Sequence, residues 1–331
     1  MTGDKSLSVR VRSIVYQGDY INQYEVVDPD GGELPPFNAG DHIDLYFRDG
    51  RIRQYSLCND PKERHRYIFA VLRDESGRGG SKAIFDLVHV GRILSISAPR
   101  SNFRLADNAS RHLLLAGGIG VTPIMSMVRH LDNDGADYEL HYCTRSPQQT
   151  AFQDELRELG ASGRVHIHHD GGVPSRGLDI AGLLKVYQEG THLYYCGPTG
   201  FMNAVKDASS HWPKGTVHFE LFKVPEGDSP VPDTLMSDDA DGVIGVGFKL
   251  QLAKSGGEYV VPADKSIIEV LRENGVEVET SCEAGLCRTC ITRVLEGDPD
   301  HKDYVLDEDE QREYMLICCS RAKSPHLVLD L

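Results

Sequence analysis

The sequence contains no stretch approaching the roughly 20 apolar residues that a membrane-spanning helix requires. Its first residues, Met1-Thr2-Gly3-Asp4-Lys5-Ser6, are polar where a secretory leader carries an apolar run. Neither membrane insertion nor secretion is expected. Basic charge is also scarce: 35 Lys and Arg against 50 Asp and Glu leave a formal net charge of −15, with no basic stripe to offset it. Nucleic-acid binding is therefore not expected. The 8 cysteines do not describe a disulfide framework, because four belong to one C-terminal constellation while Cys58, Cys143, Cys196 and Cys319 are scattered. That usage fits a reducing cytosol. No internal repeat is visible. With 331 residues and 40% apolar content, the chain reads as a soluble, cytoplasmic monomer of two or three domains.

The C-terminal constellation is Cys282-Glu283-Ala284-Gly285-Leu286-Cys287-Arg288-Thr289-Cys290, followed after a long interval by Cys318-Cys319. This is the C-x4-C-x2-C…C spacing of a plant-type 2Fe–2S cluster. Three thiolates within nine residues, separated by small or polar spacers, allow an irregular loop to wrap an iron–sulfur core with its amides turned toward the sulfurs. A structural zinc site is the alternative, and it would more usually show paired C-x2-C units. Only one of Cys318 and Cys319 can serve as fourth ligand to the same iron. The spacing leaves the choice between them open. From Val231 to Leu331 there are 21 acidic and 10 basic residues, so this stretch carries −11 of the total charge. The acidity serves solubility or a docking face for a basic patch on an electron acceptor.

Upstream, two patterns alternate. From Ser8 to about Phe103, short alternating runs (Val9 and Val11; Ile43, Leu45 and Phe47) are broken by Gly31-Gly32, Pro35-Pro36 and Asp49-Gly50, which predicts an antiparallel β-barrel. From Arg111 to Phe222, apolar strand runs alternate with helical patterns, which predicts an α/β domain with a parallel sheet. Residues 223–241 are rich in Pro and acids without periodicity and read as a linker. The expected division is 1–105, 106–222 and 242–331, the last an α+β domain.

In the barrel segment, Arg53-Gln54-Tyr55-Ser56-Leu57 ends a strand, followed by Val71-Leu72-Arg73 and Gly79-Gly80-Ser81. An Arg near an aromatic can hold a phosphate while the aromatic lies on a flat ring, and a glycine loop opening a helix over Lys82–Val88 adds amides for the phosphate. In the α/β segment, Leu113-Leu114-Leu115-Ala116 runs into Gly117-Gly118-Ile119-Gly120-Val121-Thr122-Pro123, a strand-to-helix turn suited to a dinucleotide phosphate. Its spacing differs from G-x-G-x-x-G, so an ordinary tight turn is the alternative. Tyr194-Tyr195-Cys196-Gly197-Pro198 likewise ends a strand before a helix, placing Cys196 at the sheet's carboxyl edge, with a buried inert thiol as the alternative.

Taken together with Arg78-Gly79-Gly80-Ser81, His218-Phe219-Glu220-Leu221-Phe222 and the cysteine loop, these motifs resemble, over almost the whole chain, the phthalate dioxygenase reductase group of Rieske-type oxygenase reductases. The resemblance implies a flavin barrel, a nicotinamide domain and a C-terminal β-grasp ferredoxin. It implies FMN, with FAD as the less favoured alternative, held by Arg53, Gln54, Tyr55, Ser56, Val71, Leu72, Arg73, Gly79, Gly80, Ser81 and Thr122, with Phe222 over the ring. NADH would be held by Gly118, Thr122, Thr144, Arg145, Cys196, Gly197 and Pro198, with Glu220 near the nicotinamide. Family register places the last ligand before a Val-Ser-Arg-Ala segment; here Cys319 takes the valine position, so Cys282, Cys287, Cys290 and Cys318 are the implied cluster ligands.

A nicotinamide yields two electrons as a hydride and a 2Fe–2S centre accepts one, so a flavin is the expected splitter. Ser56, Thr122, Cys196 and Glu220 are the candidate catalytic residues, positioning and tuning the rings rather than acting as nucleophiles. The expected acceptor is a Rieske-type oxygenase acting on an aromatic ring or an O-methyl group. Service to a cytochrome P450 or other monooxygenase, or a role as redox sensor, are the alternatives.

Overall fold

The computed structural model describes residues 6–75, 79–222 and 247–331. The expected linker at 223–241 and Arg78 lie outside the described residues. Residues form two compact units, Met1–Phe222 and Lys223–Leu331. Among the described residues no helix is long and apolar enough to cross a membrane.

The first segment folds as β1 (Leu7–Gly18), β2 (Ile21–Val27), β3 (His42–Tyr46), β4 (Ile52–Ser56), β5 (Tyr67–Leu72), α1 (Gly80–Leu87) and β6 (Ile93–Ile96). Strand order is β4-β3-β6-β1-β2-β5, and every neighbouring pair is antiparallel. A bridge between Leu57 and Phe69 brings the two outer strands together and curls the sheet into a barrel. The alternation in the sequence has its physical cause here: Val9 and Val11 enter the barrel core while Arg10 and Arg12 stay exposed.

β5 departs from simple alternation because both its faces are buried. Tyr67, Phe69 and Val71 point into the barrel core. Ile68 and Ala70 belong to a second core, shared with the next segment.

That segment comprises β7 (Arg111–Gly117), α2 (Val121–Asn133), β8 (Tyr138–Thr144), α3 (Gln153–Gly160), β9 (Val165–His169), α4 (Ile180–Leu184), β10 (Thr191–Cys196), α5 (Thr199–Ala208) and β11 (Val217–Glu220). The strands are all parallel and ordered β11-β10-β7-β8-β9. α2 and α3 pack on one face, α4 and α5 on the other. β11 does not stand out in the sequence, because Val217 and Phe219 alternate with His218 and Glu220 over only four residues and none of them is fully buried.

The first two turns of α2, Val121–Val128, are buried on every side. Ile124, Met125, Met127 and Val128 contact both the sheet and the barrel wall of Ile21, Ala39, Ile68 and Ala70. Each such side chain taken out of water contributes about 1.5–3 kcal/mol. Polar contacts cross the same boundary: Ser126 Oγ donates to Asn59 O at 2.9 Å, and the Arg129 guanidinium donates to Cys58 O.

The second unit contains β12 (Phe248–Leu252), β13 (Glu258–Val261), α6 (Ile267–Glu273), β14 (Ile291–Glu296), β15 (Pro299–Asp300), β16 (Tyr314–Leu316), β17 (Arg321–Ala322) and β18 (His326–Leu329). The order β13-β12-β18-β14-β16, with β12 and β18 parallel, is the mixed sheet of a β-grasp. α6 packs Ile267, Ile268, Val270 and Leu271 into its core. A capping box starts the helix, in which Ser266 Oγ accepts from Glu269 N at 3.2 Å and Ser266 N donates to the Glu269 carboxylate at 2.7 Å.

Gly40 marks how tightly barrel and α2 approach. Its φ is +91°, and a Cβ there would collide with the Phe103 carbonyl oxygen and lie 2.9 Å from the Met127 methyl. Gly31, with φ +82°, faces open space. Gly31→Ala should cost about 1–2 kcal/mol from the left-handed backbone alone. Gly40→Ala should cost clearly more, at least about 3 kcal/mol, or prevent accumulation of folded protein. Urea unfolding of the two variants followed by circular dichroism measures the difference.

Candidate functional site

Strand register determines which side chains meet at the carboxyl edge of the parallel sheet. Ala116 on β7 pairs with Cys196 on β10, Cys196 pairs with Glu220 on β11, and Gly117 pairs with Cys143 on β8. The turns after these strands therefore open on one edge: Gly118–Gly120, Thr144-Arg145, Gly197-Pro198 and the residues beyond Glu220. Because α2 and α5 leave β7 and β10 toward opposite faces, the chain reverses there and a crevice forms, the usual ligand position in open parallel sheets.

The glycines of this edge divide into two kinds. A Cβ on Gly117 would come within 2.8 Å of Pro198 and one on Gly197 within 2.6 Å of Phe201, while one on Gly120 would strike the Cys196 carbonyl. These three let the two turns pack against each other. Gly118 is different: its φ is +52° and nothing lies within 4 Å of its Cβ position. Its open face, next to the start of α2, fits a phosphate approaching the backbone. Thr122 is buried, and its hydroxyl donates to Ile119 O at 3.0 Å, which holds the turn. Thr144 Oγ1 lies 2.8 Å from Thr150 Oγ1 and 2.9 Å from His169 Nδ1, while Arg145 is exposed beside it.

On the barrel side the arginine and the glycine loop meet. Gly80 has no side chain because Arg53 occupies the space, with Nε 2.5 Å from where a Cβ would stand. Gly79, in the left-handed region, precedes α1, and no side chain caps that helix. The first amides of α1 thus lie beside the Arg53 guanidinium, which donates to Ile52 O at 2.7 Å. Ser81 Oγ accepts from Asp74 N at 3.0 Å. Arg73 ion-pairs with Glu75 at 2.6 Å and Asp86 at 2.8 Å. In the strand before it, Val71 faces the core and Leu72 is exposed. Tyr55 lies 5.5 Å from Phe69, ring to ring, and burial pushes its phenol pKa up.

The two halves join at Ser56 and Glu220. Ser56 Oγ donates to Glu220 Oε2 at 3.3 Å, across 164 residues of chain. The Glu220 side chain is 13% exposed. Desolvation raises its pKa from 4.5 to about 8; Asp41 pushes in the same direction and the Ser56 hydrogen bond opposes. This carboxyl can therefore hold a proton at neutral pH. Cys196, on the neighbouring strand, is fully buried, and desolvation pushes its thiol well above the ordinary range, so it is not a thiolate nucleophile. Phe222, two residues beyond Glu220, is 40% exposed.

Sequence reasoning missed His42. It is buried on β3, with Nε2 3.1 Å from the Gln54 amide nitrogen and Nδ1 3.9 Å from Glu220 Oε1. Burial is the largest influence on its pKa and lowers it. A lone histidine on an alternating strand carries no signal of this; the β3–β4 register pairs it with Ser56 and leaves Gln54 diagonally beside it. Gly117 and Gly120 were within the quoted turn, yet their packing role depends on the distant Pro198 and Cys196.

In the second unit the cysteine loop runs through left-handed backbone at Glu283, Gly285 and Arg288. Those reversals turn amides onto sulfur: Ala284 N and Leu286 N each donate to Cys282 Sγ at 3.4 Å, and Cys282 N donates to Cys287 Sγ at 3.5 Å. Such donors stabilise thiolates and the negative charge of a cluster. Cys282 hydrogen-bonds with Cys287, and Cys318 with both Cys290 and Cys319. Cys319 is buried beside Cys318, and its sulfur lies 2.8 Å from where a Gly285 Cβ would stand. Arg288 ties the loop down, donating to Val305 O at 2.8 Å and pairing with Glu310. The donor set of Cys282 with Cys287 and Cys290 with Cys318, with backbone amides on the sulfurs of Cys282 and Cys287, has the four thiols that a 2Fe–2S group requires.

Residues 114–207 match the model of the oxidoreductase NAD-binding domain, and residues 250–323 match that of the 2Fe–2S iron-sulfur cluster binding domain. The reductase subunit of tert-butanol monooxygenase / tert-amyl alcohol desaturase from Aquincola tertiaricarbonis is 53% identical over 98% of this chain and 96% of that protein. An intact type IV self-sufficient cytochrome P450 monooxygenase matches with a TM-score of 0.84 and 34% identity, over 98% of this chain and 41% of its own. Phthalate dioxygenase reductase, described as a modular structure for electron transfer from pyridine nucleotides to 2Fe–2S, matches over 99% of this chain and 98% of its own, with a TM-score of 0.70 and 40% identity. Motifs, domain order and whole-length identity agree, and the chain belongs to the phthalate dioxygenase reductase family of oxidoreductases, which use NADH, FMN and a 2Fe–2S cluster.

Proposed function

We propose that this chain is the reductase component of a Rieske-type oxygenase, taking electrons from NADH and delivering them one at a time to the oxygenase. The observation that carries the reading is the meeting of Ser56, Glu220 and Cys196 from barrel and sheet at one edge, in a chain that also carries a four-thiol loop. The proposed modules are 1–105 for flavin, 106–222 for nicotinamide and 242–331 for the cluster, with 223–241 as linker. A flavin supplies the ability to take two electrons together and release them singly.

The chain's own residues have positioning tasks. Arg53 and the Gly79-Gly80-Ser81 start of α1 would bind the single phosphate of FMN. Gln54, Tyr55, Ser56 and the Val71–Arg73 strand would line its ring, and Phe222 would cover it. Gly118, with Thr122, Thr144, Arg145, Gly197 and Pro198, would seat the dinucleotide. Glu220, able to keep a proton near neutral pH, and Ser56 would orient the nicotinamide amide and exclude water. Cys196 would pack beneath the ring as a neutral thiol. Cys282, Cys287, Cys290 and Cys318 would ligate the cluster. Delivery to a cytochrome P450 is the second reading, favoured by the match to a chain that joins such a module to a P450.

Anaerobic mixing with NADH tests the scheme. In the wild type the flavin and then the cluster should be reduced without any other protein. Cys318→Ser should reduce its flavin and lack the electron paramagnetic resonance signal of a reduced cluster, whereas Cys319→Ser should show it. A normal signal in the first variant and loss in the second would exchange the two cysteines. Turnover with candidate Rieske oxygenases or P450s then separates the two readings.

The raised pKa of Glu220 gives a stability signature. Below about pH 4.5 both folded and unfolded chains keep the proton. Between there and about pH 8 only the folded chain keeps it, so the residue's contribution to stability falls through that window and is level above it. Glu220→Gln removes the titration. Its stability relative to wild type should rise from about pH 5 to about pH 8, read from urea midpoints across the range.

The acidic C-terminal region should act on encounter with the oxygenase rather than on internal transfer. Salt screens charge with a Debye length of about 8 Å at physiological ionic strength. Stopped-flow measurements over a salt series should show partner turnover falling steeply while cluster reduction by NADH holds. The reverse pattern would reduce the acidity to a solubility feature.

A further inference from the structure

Outside the redox site, one group of side chains has metal-binding character. β8 and β9 pair in parallel with His141 opposite His166, and Glu139 lies two residues before His141 on the same face. Glu139 Oε1 is 3.1 Å from His141 Nε2 and 3.3 Å from His166 Nε2. All three ligand atoms lie within 4.8 Å of one another. Ligands of a tetrahedral zinc ion at 2.0–2.2 Å stand roughly 3.3–3.5 Å apart, so small side-chain rotations bring this set onto an ion.

We propose that Glu139, His141 and His166 form a divalent transition-metal site, taking zinc with water in the open position, that clamps the edge strand β9 to β8. The donor chemistry selects the ion. Two imidazoles and one carboxylate suit zinc, copper or nickel, and not the hard cations that take all-oxygen shells.

The surroundings support ligation in three ways. Arg111 holds the other carboxylate oxygen at 2.6 Å, fixing the carboxylate and leaving Oε1 for the ion. His141 Nδ1 is 3.1 Å from His168 Nε2, an outer hydrogen bond of the kind that orients a metal-bound imidazole. The rings of His141 and His166 stack at 4.9 Å with 24° between planes, so the two imidazoles already stand side by side against Glu139. Access is open, since the His166 side chain is 41% exposed. The site is separate from the nucleotide edge: Thr144 lies three residues further along β8 than His141, roughly 10 Å at the rise of a strand.

Isothermal titration of zinc chloride into the holo-protein, with flavin and cluster loaded so that the cysteines are occupied, tests the site. One zinc should bind saturably. His166→Ala, at a half-exposed position that tolerates truncation, should weaken binding at least tenfold with an unchanged circular dichroism spectrum. His168→Ala, which removes only the outer hydrogen bond, should weaken it by roughly 10–100-fold. Exposed His65→Ala should change nothing. Absence of saturable binding, or binding of equal strength in the wild type and His166→Ala, would overturn the proposal and leave the trio as a hydrogen-bonded cluster.

Discussion

The redox site depends on the burial of α2 between the barrel wall and the parallel sheet. Ile68 and Ala70 of β5 and Ile124, Met125, Met127 and Val128 of α2 share one core, so barrel and sheet cannot shift independently without exposing it. Interiors are packed like crystals and resist such shifts. Ser56 ends a barrel strand and Glu220 ends a sheet strand, and their 3.3 Å contact follows from this docking. The absence of a Cβ at Gly40 is part of the same constraint, because the barrel backbone meets Phe103 and Met127 there.

That docking also creates the electrostatics of the site. Glu220 loses water because barrel and parallel sheet close over it, and desolvation is what raises its carboxyl. The nearest basic group, His42, is itself buried with its pKa lowered, so it does not neutralise the carboxylate by charge. The result is a protonatable group at the junction of barrel and parallel sheet, set by burial rather than by a strong ion pair.

The cluster-binding unit solves a different problem, namely concentrating negative sulfur in a small loop. Left-handed backbone at Glu283, Gly285 and Arg288 turns successive amides inward. The cost of left-handed residues other than glycine is offset by side-chain anchors: Glu283 receives Arg272 at 2.6 Å and Thr280 at 3.0 Å, and Arg288 binds Val305 O and Glu310. The same anchors explain why the spacers between cysteines are not all glycine.

Local chemistry carried most of the reading from sequence alone. Cysteine spacing, strand alternation and glycine-rich turns depend on neighbours a few residues away, so barrel, parallel sheet, thiol loop and the turn at Gly117–Gly120 were all legible. The pairing of Arg53 with Gly79-Gly80 was also anticipated, since both motifs name the same ligand chemistry, and the structure sets Arg53 directly against Gly80. Only the tertiary structure decided the rest. β11 alternates over only four half-buried or exposed residues, His42 is one histidine among 14, and Glu139, His141 and His166 become a cluster only through the β8–β9 register. Register, burial and desolvation arise from contacts between residues far apart in the chain, so they leave no mark on the local pattern of residue types.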